Sequence, residues 1–314
     1  MKKLKTVLGV TASLLVVAFT FAADFFYGEA VERGREVELH REEIAIPAMV
    51  TAENEQIIDE AAEWYENQSF ETMTLTSYDG LTLEADFLAN EESTDQAVIL
   101  AHGFRSQRAD MGDYVQFYYD QGFDILIPDS RGHGESEGDY VSFGWHDRLD
   151  YLDWINVLIE KTGSSSIFLH GHSMGAATVL MTSGEELPPQ VKGVIADSGY
   201  TSAEDILSYQ LENLYNLPPF PMIPVTSGMT KIRSGFTFGE ASVIDQVAKN
   251  TLPLLLIHGE ADELVPTSMT EEIYEAAGGD KTLWLVPEAG HVKSYSTSTT
   301  EYQERLMEFI NRED

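Results

Sequence analysis

The chain has 314 residues, 43% hydrophobic and 11% aromatic, enough to build a folded interior and too apolar for a disordered polymer. With 19 basic against 53 acidic residues the net charge is −34, a balance that repels phosphate backbones and argues against nucleic acid as a partner. There is no cysteine, which excludes disulfides and thiolate metal sites.

Lys2, Lys3 and Lys5 precede an uncharged run from Thr6 to Ala23, and Asp24, Glu29 and Glu32 follow it. Basic before and acidic after orients such a segment with its start inside and the bulk of the chain outside. The run is near the lower length limit of a spanning helix and the upper limit of a signal peptide's apolar region. Phe25, Phe26 and Tyr27 suit an interfacial aromatic belt. Residues 1–26 are therefore expected to be a retained membrane anchor, single-pass, with the rest extracytoplasmic. A cleaved signal, leaving a secreted protein, is the alternative.

Residues 27–69 read as a helical extension. After a break at Pro47, Ile57, Ile58, Ala61, Ala62, Trp64 and Tyr65 recur at helical spacing on an acidic segment, predicting one face packed on the domain behind it. From residue 70 to 314 the rhythm changes to short strands and helices. Two alternating runs flank Tyr78-Asp79-Gly80, a hairpin signal. Compact apolar runs follow (AVILAHG, FDILIPD, SIFLHG, VKGVIAD, LPLLLIHG and TLWLVPEAGH), with helical segments such as 145–160 and 174–183 between most of them. Buried strands alternating with helices predict an α/β fold with a mainly parallel sheet and helices on both faces. In such sheets ligands gather at the carboxyl ends of the strands, where the polar motifs fall. Between about 201 and 238 no strand is predicted. A helix starting at Ser202, with Asp205 three residues on, is followed by Pro218, Pro219, Pro221 and Pro224, and this excursion reads as a small cap.

The chemistry centres on HGHSMG. Ser173 lies between Gly171 and Gly175, after a strand and before an Ala-rich helix. The glycines clear space at a sharp turn that pushes the hydroxyl up at the top of the sheet, where the helix N-terminus favours developing negative charge. A hydroxyl needs a base, and His291, after the last strand, comes in the order Ser, acid, His. Asp262, after the penultimate strand, is the preferred acid to hold the imidazole's tautomer; Asp197, ending the preceding strand, is the competitor. The backbone N–H groups of Phe104 and Met174 are candidates for an oxyanion hole, with His102 and Gly103 shaping the first turn. Tyr200, Tyr209, Tyr215, Phe220 and Phe236 are candidates for lining a substrate pocket, and Glu204, Asp205 and Glu212 for meeting a peptide's amino group.

The strings HGF, PDSRGHGES, GHSMG, HGEADELVP and AGH, in that order, resemble those of α/β-hydrolases of the serine-hydrolase type from about Phe70 onward. More narrowly, the chain resembles bacterial hydrolases with an N-terminal anchor, grouped with serine aminopeptidase-like or dienelactone-hydrolase-like proteins. The resemblance implies an α/β-hydrolase fold and makes PDSRGHGES a structural loop, with Asp129, Arg131 and His133 outside the catalysis. The function expected is hydrolysis of carboxylic esters with short-to-medium acyl groups through an acyl-enzyme on Ser173. A peptidase acting on short peptides keeps the same chemistry. A non-catalytic surface-binding protein is the reading from another class, and the complete Ser173–Asp262–His291 set argues against it. No His-Glu-x-x-His, Gly-Lys-Ser/Thr or dinucleotide string occurs, so neither a metal nor a nucleotide cofactor is expected.

Overall fold

Within residues 96–101, Val98 and Leu100 pack into one apolar cluster and Ile99 and Ala101 into another, all four fully buried. A strand buried on both faces is what a parallel sheet covered by two helical layers demands. The computed structural model describes residues 17, 19–35 and 50–312. Among them one sheet holds β1 (Glu71–Thr76), β2 (Thr82–Leu88), β3 (Gln96–Ala101), β4 (Phe123–Pro128), β5 (Ser166–His172), β6 (Val191–Asp197), β7 (Leu254–Gly259) and β8 (Lys281–Val286). Their spatial order is β1-β2-β4-β3-β5-β6-β7-β8. The pairs β1–β2 and β2–β4 are antiparallel and the rest parallel. This is the α/β-hydrolase arrangement that the motifs imply. The expected hairpin turns at Tyr78-Asp79-Gly80, closed by Ser77 N–H donating to Leu81 O at 2.8 Å.

From residue 50 onward the described α-helices are α1 (Ala52–Glu66), α2 (Gly112–Asp120), α3 (Asp147–Thr162), α4 (Met174–Thr182), α5 (Ala203–Tyr215), α6 (Pro219–Ser234), α7 (Val243–Val247), α8 (Thr267–Ala276), α9 (Ser294–Thr297) and α10 (Thr299–Ile310). Trp154 of α3 and Val179 of α4 join Ile99, Ala101 and Leu169 on one face. Tyr118 of α2 and Tyr302 of α10 join Val98, Leu100 and Ile257 on the other. Each layer matters to stability: truncating a fully buried aromatic such as Trp154 costs about 3–5 kcal/mol. Helix α1 lies on α2, with Trp64 and Tyr119 ring centroids 5.1 Å apart.

Chain order and spatial order together locate the site. After β3 the chain steps one way to β4, and β5 lies on β3's other side, so the sheet has a switch point between β3 and β5. The cap is more helical than the prolines suggest. Ser202 Oγ accepts the Asp205 N–H at 3.0 Å and starts α5 as expected. The proline-rich stretch is not a loop but the beginning of α6. Phe220 is itself extended (φ −89°, ψ 133°), so the regular turns begin beyond it and Pro221 falls where a helical N–H has no partner to lose, while Pro224 lies inside the helix.

Most of the segment expected to be an anchor lies outside the described residues. Among the described residues no helix is long and apolar enough to cross a membrane. The helical residues 19–30 dock on the domain: Ala23, and Val31 in the turn that follows them, are fully buried, and Asp24 pairs with Arg233 at 2.7 Å. The three aromatics expected at a lipid interface divide. Tyr27 is buried, its hydroxyl 2.9 Å from Ser234 Oγ; Phe26 is half-buried against the cap; Phe25 alone is exposed.

Candidate active site

Ser173 adopts φ 54° and ψ −120°, a left-handed conformation that a residue with a Cβ holds only under constraint. The constraints are visible on both sides. A Cβ on Gly171 would lie 2.3 Å from Gly175 O, and one on Gly175 would lie 2.0 Å from Ala101 O. Both are backbone contacts that cannot yield, so β3, β5 and α4 meet as closely as they do only through glycine. Ser173 N–H donates to Asp197 O at 2.8 Å and Ser173 O accepts from Ala177 N, fixing the turn at both ends.

Ser173 Oγ lies 2.9 Å from His291 Nε2, and His291 Nδ1 lies 2.7 Å from Asp262 Oδ2. The loops after β7 and β8 are pressed together, since a Cβ on Gly259 would meet Ala289 O at 2.2 Å. The Asp262 side chain is fully buried and accepts at every position: Oδ1 from Leu264 N–H (2.9 Å) and Val265 N–H (2.8 Å), Oδ2 from His291 and from His258 Nε2 (3.0 Å). Burial alone would raise its pKa. The donations from His258 and His291 outweigh that and hold the carboxyl well below the usual range, so it is a carboxylate at any working pH. His258 escaped the sequence reading. Its Nε2 also lies 2.9 Å from Val265 O, which only accepts, so that nitrogen carries the proton shared with Asp262. The competitor Asp197 does not touch His291. Its carboxylate takes Ser198 Oγ, Ser294 Oγ and Tyr302 Oη beneath the site, and burial raises its pKa.

The register of β3 against β5 sets Ala101 opposite Gly171, so Phe104 and Met174 each lie three residues beyond a matched pair. Met174 opens α4, and its N–H therefore has no partner within the helix. Two histidines hold the turn carrying Phe104. His102 Nε2 accepts the Ser130 N–H at 2.9 Å, leaving Nδ1 to donate to Gly103 O at 2.8 Å. His133 Nε2 accepts the Arg105 N–H at 3.1 Å while Nδ1 donates to Arg131 O. Burial lowers both pKa values, which keeps both rings neutral and each able to accept. Asp129 and Arg131 serve the loop: Asp129 accepts the Arg108 and Glu135 N–H groups, and Arg131 pairs with Asp150 and Asp79.

Above Ser173 lies a cavity of about 120 Å³ between the sheet top, α5, α6 and residues 26–30. Of the expected lining residues, Tyr200 and Tyr215 border it, and so do Phe104, Leu211 and Met222. Three do not. Tyr209 turns its hydroxyl to Glu263 O at 2.9 Å, tying the cap to the loop of Asp262; Phe220 points to solvent; Phe236 is fully buried between Tyr140 and His146. Phe26 and Ala30 are the unforeseen wall, brought in by the N-terminal helix, whose terminal carbonyls Glu29 O and Glu32 O accept from Arg105 Nη2. Phe26 was expected to belong to the anchor and Ala30 to the helical extension, and nothing in their spacing pointed to a pocket.

A model of the Hydrolase_4 family, described as serine aminopeptidase, S33, matches residues 92–216 and 222–293, the two stretches that carry Ser173, Asp262 and His291. The chain belongs to this family. The Hydrolase_4 chain is 30% identical over 250 residues to the uncharacterized protein YqkD of Bacillus subtilis, covering 78% of this chain and 82% of that one. It is 28% identical over 241 residues to the lysophosphatidylserine lipase ABHD12 of Xenopus tropicalis, spanning 69% of this chain and 58% of that one. Among solved structures it is similar to the Pyrococcus furiosus esterase Pf2001, with a TM-score of 0.64 and 25% identity over 78% of this chain and 92% of that one. It is a hydrolase of the α/β-hydrolase superfamily.

Proposed function

We propose that this hydrolase cleaves carboxylic esters of short-to-medium acyl groups through an acyl-enzyme on Ser173. The observation that carries the reading is the Ser173–His291–Asp262 relay at 2.9 and 2.7 Å, opening into an apolar cavity. His291 Nε2 takes the Ser173 proton as Oγ attacks the acyl carbon, and Asp262 holds the Nδ1–H tautomer and stabilises the imidazolium. The N–H groups of Phe104 and Met174 receive the oxyanion. His291 returns the proton to the departing alcohol, and water then repeats the sequence to free the acid.

Cavity size supports the short end of the substrate range, since an apolar cavity of about 150 Å³ holds a benzene ring and this one is slightly smaller. A peptide would bring a charged amine. Glu29 borders the cavity, but Arg35 pairs with it at 3.1 Å, and Asp205 is occupied by Thr201 and Ser202 hydroxyls. Neither Glu204 nor Glu212 reaches the lining. The test compares kcat/KM on p-nitrophenyl acetate through octanoate with that on aminoacyl and prolyl anilides. The esters are expected to be preferred. A clear preference for the anilides would overturn the ester assignment and leave the triad standing.

A further inference from the structure

Exposed large apolar side chains are confined almost entirely to one region. Among the described residues ten are exposed, and nine of them belong to two segments: Val17, Phe19, Phe21 and Phe25 before the domain, and Tyr215, Leu217, Phe220, Val225 and Ile232 on the cap. Only Tyr78 lies elsewhere. Scattered apolar residues are ordinary on a protein surface; a set gathered on neighbouring helices is not.

The two segments form one surface. Phe25 and Phe26 pack edge-on against Tyr215, Tyr27 bonds to Ser234, and Arg233 pairs with Asp24, so the N-terminal helix lies along both cap helices. Phe26 and Tyr215 also border the cavity over Ser173, so this surface and the cavity share a wall. Two features identify what covers it. The surface continues in sequence into the uncharged run that begins at Thr6, with lysines at positions 2, 3 and 5. Its cations among the described residues are also already engaged within the protein: Arg35 with Glu29, Arg233 with Asp24 and Lys231 with Glu240, while the chain carries a net charge of −34. An anionic surface would be repelled, whereas a zwitterionic bilayer meets apolar side chains without a charge penalty.

We propose that the cap and the N-terminal helix together seat in the surface of a zwitterionic phospholipid bilayer, with the cavity mouth facing the lipid. The substrate is then a single-chain ester dissolved in the bilayer, reaching Ser173 without crossing water. The substrate half rests on the ester-hydrolase reading above; the seating half does not.

The chain's lack of cysteine makes a lone introduced thiol a clean labelling site. Full-length Ile232→Cys and, as a control, Tyr78→Cys carry a fluorophore and are reconstituted in phosphatidylcholine vesicles containing nitroxide lipid. Emission from position 232 is expected to fall about twofold or more while position 78 is spared. Equal emission at both positions, or a change at 232 that appears without vesicles as the protein self-associates, would overturn the seating. In the second arm, Val225→Glu/Ile232→Glu is expected to slow hydrolysis of a vesicle-borne single-chain ester about tenfold and leave soluble p-nitrophenyl acetate unchanged. Equal rates of wild type and variant on the vesicle-borne ester would overturn the substrate half. Failure of wild type on p-nitrophenyl acetate would refute the hydrolase reading and leave the fluorescence result to stand by itself.

Discussion

Replacing Asp262 by asparagine keeps the shape of a side chain that is fully buried and changes only its hydrogen-bonding capacity. Four N–H groups converge on it: Leu264 and Val265 at Oδ1, His291 and His258 at Oδ2. An amide has one oxygen. With its oxygen toward the histidines, its NH₂ faces two backbone donors, and two buried N–H groups lose their acceptor at about 1–3 kcal/mol each, or about 2–6 kcal/mol of stability; turned the other way it costs less stability, because His291 can change tautomer and His258 keeps Val265 O. Placing the amide oxygen toward the histidines preserves the productive tautomer and sets NH₂ against two backbone donors. The reverse favours His291 protonated on Nε2, where it cannot take the Ser173 proton. The rate precedent for losing this tautomer is about ten-thousand-fold, which corresponds to about 5.4 kcal/mol. Urea unfolding and kcat on p-nitrophenyl acetate read the two effects separately. Asp197→Asn, remote from His291, is expected to reduce kcat far less. A variant at 262 that melts normally and keeps a tenth or more of wild-type activity would refute this reasoning, as would a larger kcat loss at 197.

Gly175→Ala drives a Cβ to 2.0 Å from Ala101 O and is expected to cost at least about 3 kcal/mol, read as a lowered denaturation midpoint; wild-type stability would contradict the elbow packing. Leu207→Trp places a ring in the cavity wall and should lower kcat/KM for octanoate about tenfold or more while sparing acetate; equal losses on both would show that Leu207 does not bound the acyl group. Burial lowers the pKa of His170 to about 3 and of His172 to about 4, from 6.5. Their neutral forms therefore stabilise the fold above pH 6.5, and that contribution is lost as pH falls from 6.5 toward 4 and 3, at up to about 1.4 kcal/mol per pH unit for each ring. Denaturation midpoints from pH 7.5 to 4 test this, and a flat profile would contradict it.

The strands and Ser173, Asp262 and His291 were legible because each is a local pattern. A buried strand is a short apolar run, and the nucleophile turn announces itself by two glycines whose Cβ atoms would strike backbone. Chain order selected Asp262 over Asp197, and the contacts explain the choice, since Asp197 spends its oxygens on Ser198, Ser294 and Tyr302. The pocket was less legible because its walls come from segments far apart in sequence. Tyr209, Phe220 and Phe236 have the right chemistry, but Tyr209 lies on the α5 face turned to Glu263, Phe220 stands extended and open to solvent at the start of α6, and Phe236 lies beyond α6, buried between Tyr140 and His146. Phe26 was hidden by a composition that reads equally well as anchor. His258 looked like one more histidine at a strand end; only the folded loop brings it to the same oxygen as His291.

The central claim, that Ser173 is the nucleophile activated by His291, is tested most directly by treating the intact protein with a fluorophosphonate and mapping the adduct by peptide mass. The account predicts stoichiometric labelling of the peptide containing Ser173, little labelling of His291→Ala, and none of Ser173→Ala, which should also lose ester turnover by about a million-fold. An adduct on another residue, or a purified Ser173→Ala protein that still turns over ester at the wild-type rate, would contradict it.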